Sequence, residues 1–311
     1  MVLNPQQEEF RERVALRQEG GVTAGAPVRQ TSLWKDAWHR YRANKAALIA
    51  AALFIVLLLY VTLAPILSPY DPYAVDFAQA YLPISWSHPL GTDQYGRDLF
   101  TRVALGGRVS IGIGFAATTA IMGIGIVYGS VSGFLGGRVD NALMRFLDAL
   151  YGLPYLPFAI IVTQLFQTVN FWVMVIALTI ASWFTAARVV RGQIMSLKEN
   201  DYVRAAHAVG ARWYRVLGRH LLPNTLGVLI VFVFLELPGV ILGEAFLSFI
   251  GLGINPPQAS WGSLAQDGRD VYLSHPSMIL IPSIAIAWLI LCAFFIADGL
   301  RDALDPRTRE T

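Results

Sequence analysis

Glu236 is the residue in this chain whose type and place most suggest chemistry. It sits near the middle of a long apolar run, two residues before Pro238, which is positioned to kink a helix. An acid at membrane depth is costly unless it is paired, protonated or set beside a polar path. If that run lines a path, the carboxylate would meet an amino group of a passing solute. The plainer alternative is a structural pair or a protonated, hydrogen-bonded acid. Glu244 lies toward the far end of the same run and reads as a packing or gating group. Asp148 and Asp298 lie near the ends of two other runs, with Arg145 and Arg301 as their expected partners.

Other chemistries lack their residues. No Gly-x-x-x-x-Gly-Lys-Ser/Thr loop occurs, and Lys35, Lys45 and Lys198 are the only lysines. The chain therefore cannot cradle ATP by that mechanism. His39, His88, His207, His220 and His275 are scattered, so no metal site is expected. Cys292 is the only cysteine and lies in an apolar stretch, which excludes an intrachain disulfide or a thiolate cluster. The residues point to a path or a partner surface, and to no enzyme.

Apolar helices must position these groups. Of the 311 residues, 55% are hydrophobic and only 14% charged, against roughly 45–50% and 25% in ordinary soluble domains. Such a chain cannot cover its surface with charge, so most of that surface faces membrane lipid. A crossing helix needs about 20 apolar residues. Six runs qualify, over 46–67, 110–134, 143–166, 171–190, 226–250 and 278–299. Asp148, Pro154 and Pro157 interrupt the third, and the short connection 167–170 makes it a tight antiparallel pair with the fourth. Of the 24 Lys and Arg, only Arg97, Arg102, Arg108 and Arg269 fall toward one side of such a topology. Cations concentrate on the cytoplasmic side, so both termini are expected there.

The flanks read differently. Residues 1–32 mix charge, Gly and Gln with little apolar periodicity and read as a disordered cytoplasmic tail, not a cleavable signal peptide. Within 33–45, Leu33, Trp34, Trp38 and Tyr41 recur at helical spacing beside Lys35, Arg40 and Arg42, the pattern of an interfacial helix on the inner leaflet. The expected fold class is all-α, with six transmembrane helices over 46–300 and a second cytoplasmic tail over 301–311.

Two patterns concern contact. Gly125, Gly129 and Gly133 recur every four residues, so that one helix face admits a close neighbour, either within the chain or on a partner. Between the fourth and fifth runs, Val203, Ala206, Gly210, Trp213 and Leu217 fall on one helical face, with Arg204, Arg212, Arg215 and Arg219 on another. Gly210 would split this segment into two short helices, and Pro223 would set the start of the fifth crossing. By periodicity alone the segment is a basic amphipathic hairpin on anionic lipid. The outer segments 68–107 and 251–277 carry Trp86, Tyr95, Trp261 and Tyr272, an interfacial belt or a landing surface.

The run Asp201-Tyr202-Val203-Arg204-Ala205-Ala206, then Gly210, then His220-x-Leu222-Pro223 resembles the EAA loop of permeases in binding-protein-dependent ABC importers. The family pattern has Glu where this chain has Arg204, and often Ile where it has His220. Both departures are usual in the dipeptide/oligopeptide branch. Three further segments resemble the C-type permease of that branch: His88 to Phe100, Gly243 to Gly262, and Asp298 to Arg307. The resemblance covers about residues 33–308.

It implies that segment 191–224 holds the coupling helix, with Tyr202 to Gly210 docking on an ATPase subunit. It implies a second homologous permease, two ATPase subunits carrying ATP and Mg, an extracytoplasmic binding protein and a peptide substrate. No cofactor on this chain and no nucleic acid partner is implied. Nickel chelates or oligosaccharides remain alternative cargoes within the family. A secondary transporter or channel working without ATPases is the alternative of another class, for which inverted repeats and paired broken helices are expected.

Overall fold

A computed structural model describes residues 33–304, which leaves segment 1–32 and most of 301–311 outside the described residues. Those described residues are helices and loops with no strand. Helix α1 (Leu33–Ala43) stops at Asn44, whose side chain accepts the Ala47 N–H and caps α2 (Lys45–Leu67). Asp98 caps α3 (Leu99–Leu135) by accepting the Thr101 N–H at 2.8 Å. This helix starts earlier than the apolar run 110–134 suggests, because the cap fixes its origin and polarity does not. At about 1.5 Å per residue it is roughly 55 Å long and outreaches the hydrocarbon layer.

Proline chemistry shapes the junctions. Pro65 has no N–H for the Val61 carbonyl one turn below it. Arg108 of α3 takes that carbonyl instead through Nε at 2.7 Å, and its Nη2 donates to the Thr62 carbonyl. The one arginine at the edge of a span thereby completes a helix end.

The interrupted third run breaks as its composition leads one to expect. Helix α4 (Gly137–Tyr151) and α5 (Tyr155–Gln164) meet at a bend of 83°. Pro154 holds Leu153 out of helical geometry, and Pro157 sits in the first turn of α5, where a missing N–H costs nothing. Among the described residues five helices are individually long and apolar enough to cross a membrane, and six crossings result when the bent pair is counted as one span.

Helix α6 (Phe171–Lys198) is capped by Asn170. After α7 (Asp201–Ala208), helix α8 (Trp213–Val216) runs through a widened π turn, Leu217–Leu221, into α9 (Leu222–Phe249). Pro223 lies in the first turn of α9, as expected, and the π turn joins that helix to the short α8 that begins at Trp213. The Leu222 N–H reaches back to the Leu217 carbonyl, a wider turn that accommodates the proline ring. Asn224 Nδ2 donates to the His220 carbonyl at 2.7 Å. Ser260 and Ser263 form a reciprocal capping box for α10 (Trp261–Arg269), and α11 (Ser277–Leu304) ends the described chain.

Two apolar clusters hold the bundle. One joins α3, α5, α6, α7 and α9 around Ile121, Met174, Leu178 and Leu247. The other joins α2, α3, α9, α10 and α11 around Leu57, Leu99, Ile241 and Leu289. The glycine stripe lies between α3 and α6 of the same chain. A Cβ on Gly125 would lie 2.6 Å from the Ala186 Cβ, one on Gly129 would strike the Ala187 carbonyl, and one on Gly133 would lie 2.8 Å from the Arg191 carbonyl. The two backbones touch. Gly129→Ala should therefore lower stability by roughly 1–3 kcal/mol through forced separation of the helices. Gly123→Ala, whose Cβ would meet nothing within 4 Å, should be neutral or slightly stabilising. Thermal unfolding in detergent reads both.

Candidate functional site

The segment after α6 forms a projecting hairpin whose shape comes from one glycine. Gly210 has a φ of +76°, and the Ala211 N–H returns to the Ala206 carbonyl at 3.1 Å, the closing bond of a Schellman turn. Val203 is fully buried and Ala206 packs beside it against the first apolar cluster. Asp201, Tyr202, Arg204, Ala205 and Gly210 are exposed, Pro223 is exposed, His220 is half-buried and Leu222 turns inward. Val209, an apolar side chain beside the glycine, is 84% exposed. Arg204 lies 3.6 Å from Glu199 with both side chains in solvent, a contact of little energetic weight.

The base of the hairpin is clamped. Arg191 grips Asp140 of α4 with Nε and Nη2, and Ser132 Oγ donates to the same carboxylate at 2.5 Å. Lys198 Nζ donates to the Phe134 carbonyl at 2.6 Å, and the Phe134 ring lies 6.1 Å from that of Trp213. Asp148 pairs at 2.7 Å with Arg188 of α6, not with Arg145 three residues before it on α4. Arg188 also stacks 4.3 Å over the Tyr151 ring. Asp298 is exposed.

Glu236 sits halfway along α9, half-buried, in a cleft of about 370 Å³ between α5, α6 and α9. Tyr151, Tyr155, Ser182, Thr185 and Gly239 share its walls. Glu244, by contrast, is completely buried. Ser110 Oγ of α3 donates to one of its oxygens at 2.9 Å, and Ser248 Oγ to the other at 2.7 Å. Ser110 Oγ in turn accepts the Trp261 N–H at 3.1 Å. One carboxyl thereby joins α3, α9 and the start of α10.

A family model described as binding-protein-dependent transport system inner membrane component matches residues 125–310. The chain belongs to this family. A second model, the N-terminal TM domain of oligopeptide transport permease C, matches residues 32–83. The oligopeptide transport system permease protein OppC of Bacillus subtilis (strain 168) is 40% identical, over 90% of this chain and 91% of its own. The dipeptide transport system permease protein DppC of the same organism is 41% identical, over 94% and 92%. OppC of Escherichia coli (strain K12) is 40% identical, over 91% and 94%.

Segments 68–107 and 251–277 of the permease carry structure that sequence reading missed. The stretch from His88 to Phe100 is a buried ionic turn. The Asp93 carboxylate accepts the N–H groups of Tyr95 and Arg97 and pairs with Arg97 Nε at 2.7 Å and Arg102 Nε at 3.3 Å. His88 Nδ1 lies 2.9 Å from the Asp98 carboxylate. Burial pushes the neighbouring Asp267 carboxyl up, against the pull of Arg102 and Arg97. Trp261 belongs to neither a belt nor a landing surface. It is fully buried and donates Nε1–H to the Val103 carbonyl at 2.8 Å, whereas Trp86, Tyr95 and Tyr272 are exposed.

The missed residues that matter most are Ser110, Asp140 and Arg191, whose partners lie far off in sequence. Only the serine and glycine neighbours of Glu244 hinted at a buried polar node. Ser110→Ala leaves the Trp261 N–H without its acceptor and Glu244 short of a donor, and should cost about 1–3 kcal/mol. Thermal unfolding in detergent measures that loss, with the exposed Ser87→Ala as the control expected to change little.

Proposed function

We propose that this permease is a pore-forming subunit of an ATP-driven importer that carries dipeptides or oligopeptides across the cytoplasmic membrane. The observation that carries this reading is near-full-length similarity, at about two residues in five, to chains named as oligopeptide and dipeptide transport permeases. A second, homologous permease would close the path whose wall the Glu236 cleft forms. Separate ATPase chains would hold ATP and Mg, and an extracytoplasmic binding protein would deliver the peptide onto the outer segments. Both termini and segment 191–224 would face the cytoplasm, in keeping with where the arginines and lysines fall. Helix α1 would lie on the inner leaflet.

Coupling is assigned to Asp201, Tyr202, Val203, Arg204, Ala205, Ala206 and Gly210, backed by His220, Leu222 and Pro223. The exposed Tyr202, Ala205 and Val209 give α7 a small apolar face that a partner groove can receive, with Arg204 placed for a charge-assisted hydrogen bond. Asp140–Arg191 and Lys198–Phe134 fasten the hairpin to α3 and α4, so that its displacement on ATP binding moves the bundle as a body.

A Cβ on Gly210 would meet no atom of this chain within 4 Å. Gly210→Trp should abolish peptide uptake by the assembled importer while membrane insertion stays intact. Gly210→Asn, which tolerates positive φ, should retain most of the uptake. Uptake of labelled di- and oligopeptides by cells carrying each variant, with nickel and a short oligosaccharide in parallel, is the measurement. Full uptake by the Trp variant would overturn the coupling role, and loss of another solute in place of peptide would overturn the cargo.

A further inference from the structure

Glu236 presents a carboxylate at membrane depth with no cation of this chain paired to it among the described residues. Such a group is costly in lipid unless it is paired, protonated or set beside something polar. The surface around it is shaped to receive a ligand. Along α9, Glu236, Gly239 and Gly243 follow one another at three and four residues, one continuous helical face. A Cβ at Gly239 would meet nothing within 4 Å, so the groove beside the carboxylate is open. A Cβ at Gly243 would strike the Tyr155 hydroxyl, so that glycine makes the room into which the tyrosine reaches.

Tyr155 supplies the second, independent observation. Its hydroxyl oxygen is buried with no hydrogen-bond partner among the described residues, and the residue shares the walls of the cleft with Glu236 and Ser182. An unsatisfied hydroxyl at this depth costs free energy until a donor or acceptor arrives. Ser182 and Thr185 add hydroxyls from α6 on the opposite wall. The cleft, about 370 Å³, falls in the size range of ligand sites, roughly 300–1,000 Å³. Its polar groups are a carboxylate and neutral hydroxyls, the set that suits an alkylammonium ion and repels an anion.

We infer that Glu236, with the Tyr155 hydroxyl and the Ser182 and Thr185 hydroxyls, forms a mid-membrane station that binds the terminal ammonium group of the peptide in transit. This rests on the peptide-importer reading above and deepens it. The carboxylate supplies the counter-charge, the Tyr155 oxygen accepts one ammonium N–H, and the open glycine face leaves space for the peptide chain to follow.

The test uses the whole importer in proteoliposomes: this chain, its partner permease, the ATPases, and peptide-loaded binding protein in excess. Labelled trialanine, its N-acetyl form and N-acetyl-Ala-Lys-Ala are the probes. E236Q should lower trialanine uptake about tenfold, the scale of one lost charge-assisted contact. ATPase turnover stimulated by the loaded binding protein should persist, and E236D should recover most of the uptake. Y155F should give a smaller loss in the same direction. N-acetyl trialanine should be insensitive to E236Q. N-acetyl-Ala-Lys-Ala should likewise be insensitive to E236Q, and slowing of this probe would overturn the assignment to the terminal ammonium. Trialanine uptake at the wild-type rate in E236Q overturns the inference. So does failure of E236Q to assemble with the partner permease, which would make Glu236 an interfacial ion pair. A wild-type importer that carries no peptide is a separate failure, that of the peptide reading itself.

Discussion

Contact between the backbones of α3 and α6 is the constraint on which the rest of this permease depends. In lipid, helices gain little by hiding apolar side chains from one another, so association rests on close packing and on hydrogen bonds. Gly125, Gly129 and Gly133 remove the atoms that would hold the two helices apart. That approach brings Arg191 within reach of Asp140 and Lys198 within reach of the Phe134 carbonyl, and so fixes where the hairpin leaves the bundle. It also sets α6 as the wall that carries Ser182 and Thr185 into the cleft.

Polar groups in the bundle follow a second constraint, that each must be satisfied by protein where water is absent. Three solutions recur. Arg108 replaces the N–H that Pro65 lacks. Glu244 is surrounded by serine hydroxyls and disappears into packing. The Asp93 carboxylate gathers backbone N–H groups and two arginines into a closed turn. Glu236 stands apart from all three, since it faces an open cleft and its polar neighbours are hydroxyls. Two glutamates eight residues apart on one helix thus differ in their surroundings, one enclosed by serine hydroxyls and the other open to a cleft.

The hairpin is arranged differently. Its inward residues, Val203 and Ala206, belong to the bundle core, whereas Tyr202, Ala205 and Val209 stand in solvent. These exposed apolar side chains stand beside a glycine turn, and the contacts of Arg191 and Lys198 tie the base of the hairpin to α4 and α3. Periodicity alone favoured a hairpin lying on lipid, since it distinguishes two faces without saying which one meets the bundle.

Much of the architecture was legible in the sequence. Apolar length gave the crossings, because the bilayer thickness is a fixed ruler, and Pro154 and Pro157 marked the break in the third run because proline denies a donor and restricts its predecessor. Gly210 was legible as a helix stop for a similar local reason. What sequence could not supply was which distant groups meet. The glycine stripe admitted either a partner or the same chain, Asp148 was assigned to a neighbour on its own helix, and Trp261 was read as a surface aromatic. Local chemistry, acting within one turn of helix, determined the elements and their ends. The packing of elements far apart in sequence decided the pairings, the buried node at Glu244 and the open side of Glu236, because burial and hydrogen-bond partnership are properties of neighbours in space.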